Sequence, residues 1–424
     1  MINEKFCPMP FGSMHVDPDG KIYICCSDRG PIVDDNNNVM NVQTHSLKEA
    51  WNSKHYQTVR LEFLEGKQPT TCVECWKSEI GNKGTSTRLS AVERFESFAD
   101  RGYEIQSALE DAAQNNGYIK NFQAVDYQVM SGNLCNLACK MCFPSYSNGW
   151  SKFYTSRNIE AKDIFYHSNV EQPMVLFSDF KNEHDWPKKF TINDIFKDLI
   201  DGIYFVNLTG GEPTLLPENL IFLESLKLSK NKENLELVVI TNTTNINKKL
   251  LDTLDGFKKI HIVSSIDGMN EIANIQRSPS NWNQIIKNFY ELRKFAEANE
   301  KYVSHGVNSV VTALNLHHVG MFWNFLLTQP DLSMHHSMIS QAFVVSNKYP
   351  VGLEIVPRRV IDKIKKDFQK FSSLKFTALY DNMMAYFDNV QWAEDDTLML
   401  EMLEYVQKLH PDHNIREIYK IYYE

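Results

Sequence analysis

Beyond Cys142 the chain has no cysteine, although it runs to 424 residues and holds eight in all. A disulfide scaffold would not be confined to the first third of a protein of this size. There is no apolar run of about 18 residues, so no membrane-spanning helix and no membrane partner are expected. The N-terminus, Met1-Ile2-Asn3-Glu4-Lys5-Phe6-Cys7-Pro8, lacks the apolar stretch of a signal peptide. A reducing cytoplasm is therefore the expected compartment, where thiols stay free to bind metal. Positive charge is in short supply, with a net charge of −9, which argues against nucleic acid as a partner. Internal repeats and low-complexity tracts are absent as well. At 43% hydrophobic and 23% charged residues, the chain is too apolar for general disorder. It is long enough for two or three domains.

The cysteines fall into two groups, which suggests two metal centres. Cys7, Cys25, Cys26, Cys72 and Cys75 form the first, and Cys135, Cys139 and Cys142 the second. The second group has the spacing C-x3-C-x2-C within Gly132-Asn133-Leu134-Cys135-Asn136-Leu137-Ala138-Cys139-Lys140-Met141-Cys142-Phe143. Three thiolates so spaced can hold three corners of a [4Fe–4S] cube and leave the fourth iron open to a small molecule. The competing readings are a zinc knuckle, which would use paired C-x2-C units and four ligands, or three core cysteines.

Hydrophobic patterning divides the chain. Ser13–Val16 and Lys21–Ile24 read as strands joined by the turn Asp17-Pro18-Asp19-Gly20. Ser46, with Glu49 three residues on, opens a helix through a capping box. That helix carries Trp51, Val59 and Phe63 and ends near Gly66. Cys72 and Cys75 follow in a loop opened by Pro69. From about residue 124, strand-like runs alternate with helical stretches. The candidate strands are Val125–Met130, Ile203–Leu208, Leu235–Thr241, Lys259–Ile266, Gly306–Thr312 and Met338–Val345. Ile285, Ile286, Phe289, Leu292 and Phe295 mark the clearest amphipathic helix. Six βα units imply an α/β fold whose parallel sheet curls into a partial TIM-like barrel, with the loops after its strands forming the active face. Residues 144–200 form a long crossover containing Trp150, Tyr154, Phe165, Phe177 and Trp186, read chiefly as core. Residues 357–424 look helical and could cover the open side of the barrel. The pairs His317-His318 and His335-His336 lack helical ligand spacing and are read as packing or solvated residues.

The run Asn-Leu-Ala-Cys-Lys-Met-Cys resembles the signature of the radical S-adenosylmethionine (SAM) enzymes. Thr209-Gly210-Gly211-Glu212-Pro213, after the second barrel strand, is similar to the motif with which that family holds the SAM amino group. Thr241-Asn242 stands where the family often has Thr-Asn-Gly, with Thr243 in place of the glycine. Ser265-Ile266-Asp267-Gly268 resembles a Ser-x-Asp-Gly motif, and Arg277 follows it. The resemblance implies that Cys135, Cys139 and Cys142 hold the SAM-binding [4Fe–4S] cluster. It implies further that Gly210, Gly211, Glu212 and Pro213 bind SAM, with Ser265 and Arg277 on its carboxylate, Asn242 near the ribose, and Phe143 and Val310 near the adenine. The family's chemistry is reductive cleavage of SAM to a 5′-deoxyadenosyl radical, which takes a hydrogen atom from substrate.

Cys7-x12-Gly20-x4-Cys25, followed by Cys72-x2-Cys75, resembles the auxiliary-cluster modules called SPASM and Twitch domains. The missing later cysteines point to the shorter Twitch type. By this resemblance Cys7, Cys25, Cys72 and Cys75 hold one auxiliary [4Fe–4S] cluster; a zinc site of the same four cysteines is the alternative. Cys26 is a spare ligand, a hydrogen-atom donor or, by preference, a packed core cysteine. The implied architecture is residues 1–95 as the auxiliary module, 96–123 as a helical bridge, 124–345 as the partial (β/α)6 barrel and 346–424 as a helical C-terminal region. The implied activity is oxidative modification of a peptide or small molecule, with an external one-electron donor such as flavodoxin or ferredoxin. A redox-neutral epimerase or rearrangement enzyme, and a non-catalytic iron–sulfur electron carrier or scaffold, are the alternatives.

Overall fold

The computed structural model of the chain describes residues 4–81, 86–159, 186, 192–328, 339–343, 351–375 and 377–424. Phe165, Phe177, His335, His336 and both ends of the expected strand Met338–Val345 lie outside the described residues. The chain divides into two compact units: residues 1–133, 184–239 and 248–260 form one, and 134–183, 240–247 and 261–424 the other.

Ten strands occur among the described residues: β1 (Ser13–Val16), β2 (Ile22–Tyr23), β3 (Asp126–Met130), β4 (Ala138–Cys139), β5 (Phe205–Thr209), β6 (Glu236–Thr241), β7 (Ile260–Ser265), β8 (Arg277–Ser278), β9 (Val303–Val311) and β10 (Ile339–Phe343). The six expected barrel strands are all represented, and in the first five the ends fall within three residues of those expected. In the first unit the order is β2-β1-β3-β5-β6. β1, β3, β5 and β6 pair in parallel, and β2 closes the edge antiparallel to β1. The segment expected to be a module of its own thus supplies a strand to the parallel sheet. In the second unit β9 lies beside β7 and pairs with β10 in parallel. Helices connect the parallel strands, as an α/β fold requires.

One face of the first unit's sheet is apolar. Met14, Tyr127, Val206 and Leu237 share one level across four strands, and all are buried. Tyr127 meets Phe196 edge-on at 5.0 Å, and Phe196 lies 5.2 Å from Phe222 of the helix Pro217–Lys227. The opposite face is closed at its base by the helix Thr87–Ala99. Phe98 packs on Phe205 there, and Arg94 reaches Asp126 at 2.7 Å. The second unit has its own large core, in which Trp323, Leu353, Met399 and Tyr419 are buried. Its C-terminal helices Arg358–Phe368, Ala378–Asn389 and Thr397–Leu409 belong to it.

Two local expectations change. The capping box at Ser46 forms, but the helix stops at Trp51 and restarts after Ser53, whose hydroxyl caps Lys54–Leu64. A second cap wins because Asn52 turns away to donate to Ile119 O and accept from Arg60. Cys72 ends a 3-10 turn and Cys75 lies in the helix Val73–Gly81, where a loop was expected. The amphipathic helix is Trp282–Ala298, burying Ile285, Phe289 and Leu292 as its stripe implies. Trp150 and Tyr154 pack with Leu409, and Trp186 is buried with its indole N–H on Pro18 O at 2.9 Å. His317 packs on Tyr419 and Tyr422, and His318 accepts the Met269 N–H at 3.1 Å.

Candidate functional site

In the second unit, the Cys135–Cys142 loop is fixed at three points. Asn148 Oδ1 accepts the Cys135 N–H at 3.0 Å. The Ser147 hydroxyl donates to Leu137 O, and Gly149 approaches the Leu137 backbone so closely that a Cβ would overlap it. Cys139 sits on β4, directly opposite Arg277 on β8. Cys135 and Cys139 are buried and Cys142 is half-buried. Burial raises the pKa of Cys142, and Cys139 and Cys135 lie close enough to raise it further.

Polar donors converge on these sulfurs. Leu137 N–H is 3.5 Å and Asn242 Nδ2 3.8 Å from Cys135 Sγ, and Arg277 Nη1 is 3.8 Å from Cys139 Sγ. Arg277 is buried, with its Nε 2.6 Å from Asp267 Oδ2. Burial opposes its charge, but Asp267 and then Cys139 hold its pKa above the ordinary arginine value. Asp267 also accepts the Val310 N–H at 2.8 Å and so ties Arg277 to β9. Asn242, expected near a ribose, faces Cys135 and donates to Asn136 Oδ1 at 2.9 Å. Thr243, which stands where a glycine was expected, adopts φ +65°, a conformation uncommon for a β-branched residue. Its carbonyl is anchored by Asn288 Nδ2 at 2.8 Å. Ser265 is buried at the end of β7, and Phe143 and Val310 are half-buried.

Sequence reasoning overlooked Lys140 and the structural part of Asp267. Lys140 is buried, with its ammonium 4.4 Å from the Phe153 ring and 5.2 Å from Trp150. Burial pushes its pKa down to about 7. Its place between two cysteines was the available signal. Asp267 was legible only as part of a motif.

In the first unit, Gly210 has φ +124°, and a Cβ there would lie 3.1 Å from Gly132 O. Gly211 N–H donates to that same oxygen at 3.2 Å. The turn delivers Glu212, 1% exposed, whose Oε1 accepts from Thr214 N and Oγ1 at 3.2 and 2.7 Å. Pro213 then opens a 3-10 turn.

The same unit gathers the N-terminal cysteines. Cys72 and Cys75 both raise the pKa of Cys7, as Cys26 and Cys7 raise that of Cys25, though burial is the larger cause in each. Burial likewise pushes Cys72 up to about 12. Thiols so held are protonated at neutral pH, so a metal must displace the proton, and its affinity rises with pH. Cys26 is exposed, which corrects the preference for a packed core cysteine. It follows Cys25 in the turn beyond β2, which the Asp28 N–H closes by donating to Cys25 O at 3.2 Å.

Among the described residues no three His, Cys, Asp or Glu side chains gather as a single metal ion would need. A cubane asks for something else, one thiolate at each of several separated irons. The donor sets fit such a group: thiols in threes and fours, with N–H donors toward the sulfurs of the second group.

Two family models match the chain. Residues 129–317 match the radical SAM superfamily and residues 7–76 the iron–sulfur cluster-binding domain SPASM. No curated protein matches the sequence. Among solved structures, the chain is similar to native anSMEcpe with bound AdoMet and Cp18Cys peptide, at 18% identity over 58% of this chain and 59% of that one, with a TM-score of 0.35. It is also similar to Streptococcus suis SuiB bound to S-adenosylmethionine, at 14% identity over 85% and 70%, with a TM-score of 0.37. SuiB bound to precursor peptide SuiA matches at 16% identity over 86% and 71%, with a TM-score of 0.34. The chain spans about three fifths of the length of the anSMEcpe chain.

Proposed function

We propose that this chain, which belongs to the radical SAM superfamily and carries a SPASM iron–sulfur domain, takes a hydrogen atom from an unactivated C–H bond of a peptide or small molecule and completes a net oxidation. The observation that carries this reading is the Cys135–Cys142 loop, with Arg277 and Asn242 each 3.8 Å from a cysteine sulfur. Cys135, Cys139 and Cys142 would hold the cluster to which SAM binds. Cys7, Cys25, Cys72 and Cys75 would hold the auxiliary one. When bound, the first cluster would supply one electron to SAM, which would split into methionine and the 5′-deoxyadenosyl radical that takes the hydrogen atom.

The chain's residues orient and shield. Arg277, held charged by Asp267, offsets negative charge at the sulfurs. Glu212, presented by the Gly210-Gly211 turn, offers a carboxylate to the SAM ammonium. Burial of the loop excludes water from the reacting centre. Four cysteine ligands leave the auxiliary cluster no open iron, which suits it to electron transfer toward an external one-electron partner. The exposure of Cys26 favours a second reading, in which its thiol returns a hydrogen atom to substrate and the outcome is redox-neutral.

The test is anaerobic reconstitution, then SAM and a strong reductant. About eight irons per chain and formation of 5′-deoxyadenosine are expected. Replacing Cys135, Cys139 and Cys142 together by Ala should remove half the iron and all 5′-deoxyadenosine. Zinc in place of iron in protein prepared without oxygen would overturn the reading. Product formation lost in Cys26→Ala, with both clusters retained, would favour the redox-neutral alternative.

A further inference from the structure

The N-terminal cysteines meet a permanent cation that their spacing does not announce. Arg88 is 7% exposed and lies in the first turn of the helix Thr87–Ala99. A cation there opposes the helix dipole, which favours negative charge at an N-terminus. The helix itself is therefore not stabilised by this charge. Arg88 Nε and Nη2 donate to Glu79 Oε1 and Oε2 at 2.9 and 2.6 Å, a two-pronged pair with the helix Val73–Gly81. Its Nη1 donates to Glu4 O and Phe6 O at 3.0 and 2.9 Å. The guanidinium also lies 5.1 Å from the centre of the Trp76 ring.

Phe6 precedes Cys7 and Trp76 follows Cys75, so one side chain grips the residues next to two thiols. Its charge reaches both sulfurs. Burial opposes that charge, but Glu79 and then Cys7 and Cys75 hold the Arg88 pKa above the ordinary arginine value. Burial raises the pKa of Cys7, Cys72 and Cys75 raise it further, and the Met9 backbone and Arg88 oppose them. Asp28, held by His55 Nε2 at 3.1 Å, acts instead on Cys25 and Cys72.

We infer that Arg88 is a positioning residue for the auxiliary cluster and sets its reduction potential, with Glu79 as the counterweight that tempers the charge. The inference rests on the reading of Cys7, Cys25, Cys72 and Cys75 as ligands of that cluster. Uptake of one electron adds one negative charge among the thiolates, and no bond forms or breaks. A fixed cation nearby favours that added charge, and a carboxylate nearby disfavours it. A salt bridge with a purely structural role would tie Val73–Gly81 to Thr87–Ala99 without moving the potential in either direction.

The experiment is an anaerobic redox titration followed by electron paramagnetic resonance. It uses the full reconstituted chain carrying Cys135→Ala, Cys139→Ala and Cys142→Ala, so that the auxiliary signal stands alone. In that background Arg88→Met should lower the midpoint by about 59 mV, a tenfold change in the one-electron equilibrium. Arg88→Lys keeps the charge and should lower it by less. Glu79→Gln should move the midpoint the other way, upward. Iron content reports whether each variant keeps its cluster. Should Arg88→Met lose iron, Glu79→Gln decides, because it keeps the guanidinium and offers it an amide oxygen. A midpoint unchanged or lowered in Glu79→Gln, unchanged in iron-replete Arg88→Met, or as low in Arg88→Lys as in Arg88→Met would each overturn the inference. Zinc, or no metal, in the background protein would sink the four-cysteine cluster reading instead.

Discussion

Arg277 and Asp267 show how one residue pair can serve both stability and chemistry. Asp267 has no exposed side chain, and its two oxygens hold Arg277 Nε and Val310 N–H. Asp267→Asn keeps the shape and an acceptor but leaves the guanidinium buried without a counter-charge. Breaking a buried pair from one side costs about 3–5 kcal/mol. Anaerobic urea unfolding of metal-free protein should show that loss, and a shift under ~1 kcal/mol would mean the pair is not what keeps Arg277 in place. Arg277 itself was legible from its position after Ser-x-Asp-Gly. Its register opposite Cys139 was not, because antiparallel pairing of two-residue strands leaves no periodic trace in the sequence.

The thiolate loop gets its shape from the elements beside it. The helix Gly149–Thr155 begins against the backbone of Leu137, and only hydrogen fits at Gly149. Gly149→Ala should therefore push the Leu137 backbone away from the helix, whose Trp150, Phe153 and Tyr154 are anchored in a cluster with Leu409 and Ala138. Overpacking of this kind costs typically about 1–3 kcal/mol. The displaced cysteines should also lower iron retained by the Cys135, Cys139 and Cys142 site. Reconstituted Gly149→Ala with full iron and wild-type stability would show that the loop yields without consequence. The motif announced the cysteines, but the glycine that lets them approach the helix lies seven residues beyond and has no signature of its own.

At the scale of the whole molecule, buried histidines govern the acid limb of stability. Burial pushes His318 down to about 4, and it pushes His305 and His317 down to about 3. Unfolded, each would take a proton near pH 6.5. As pH falls below that value the unfolded chain binds protons that the folded chain refuses. Stability is therefore complete above about pH 6.5 and declines toward pH 4, by about 1.4 kcal/mol per pH unit for each histidine. His318→Gln can still accept the Met269 N–H and should reduce that slope by about one proton. Urea midpoints between pH 7.5 and 5 check this, and a slope unchanged by the substitution would remove His318 from the account.

Local chemistry settled much of this protein in advance. Thiol spacing marked both cysteine groups, and alternation placed all six barrel strands, because both signals lie within a few consecutive residues. The Ser46 capping box and the turn at Gly20 were readable for the same reason. Long-range pairing decided the rest. Only the tertiary structure could show that Ser13–Val16 pairs with Asp126–Val129 across more than a hundred residues. That pairing sets His15 in one row with Gln128 and Asn207. Strand register is fixed by how the opposite, apolar face packs, so a polar row on the open face is a product of the whole sheet and is written in no single segment.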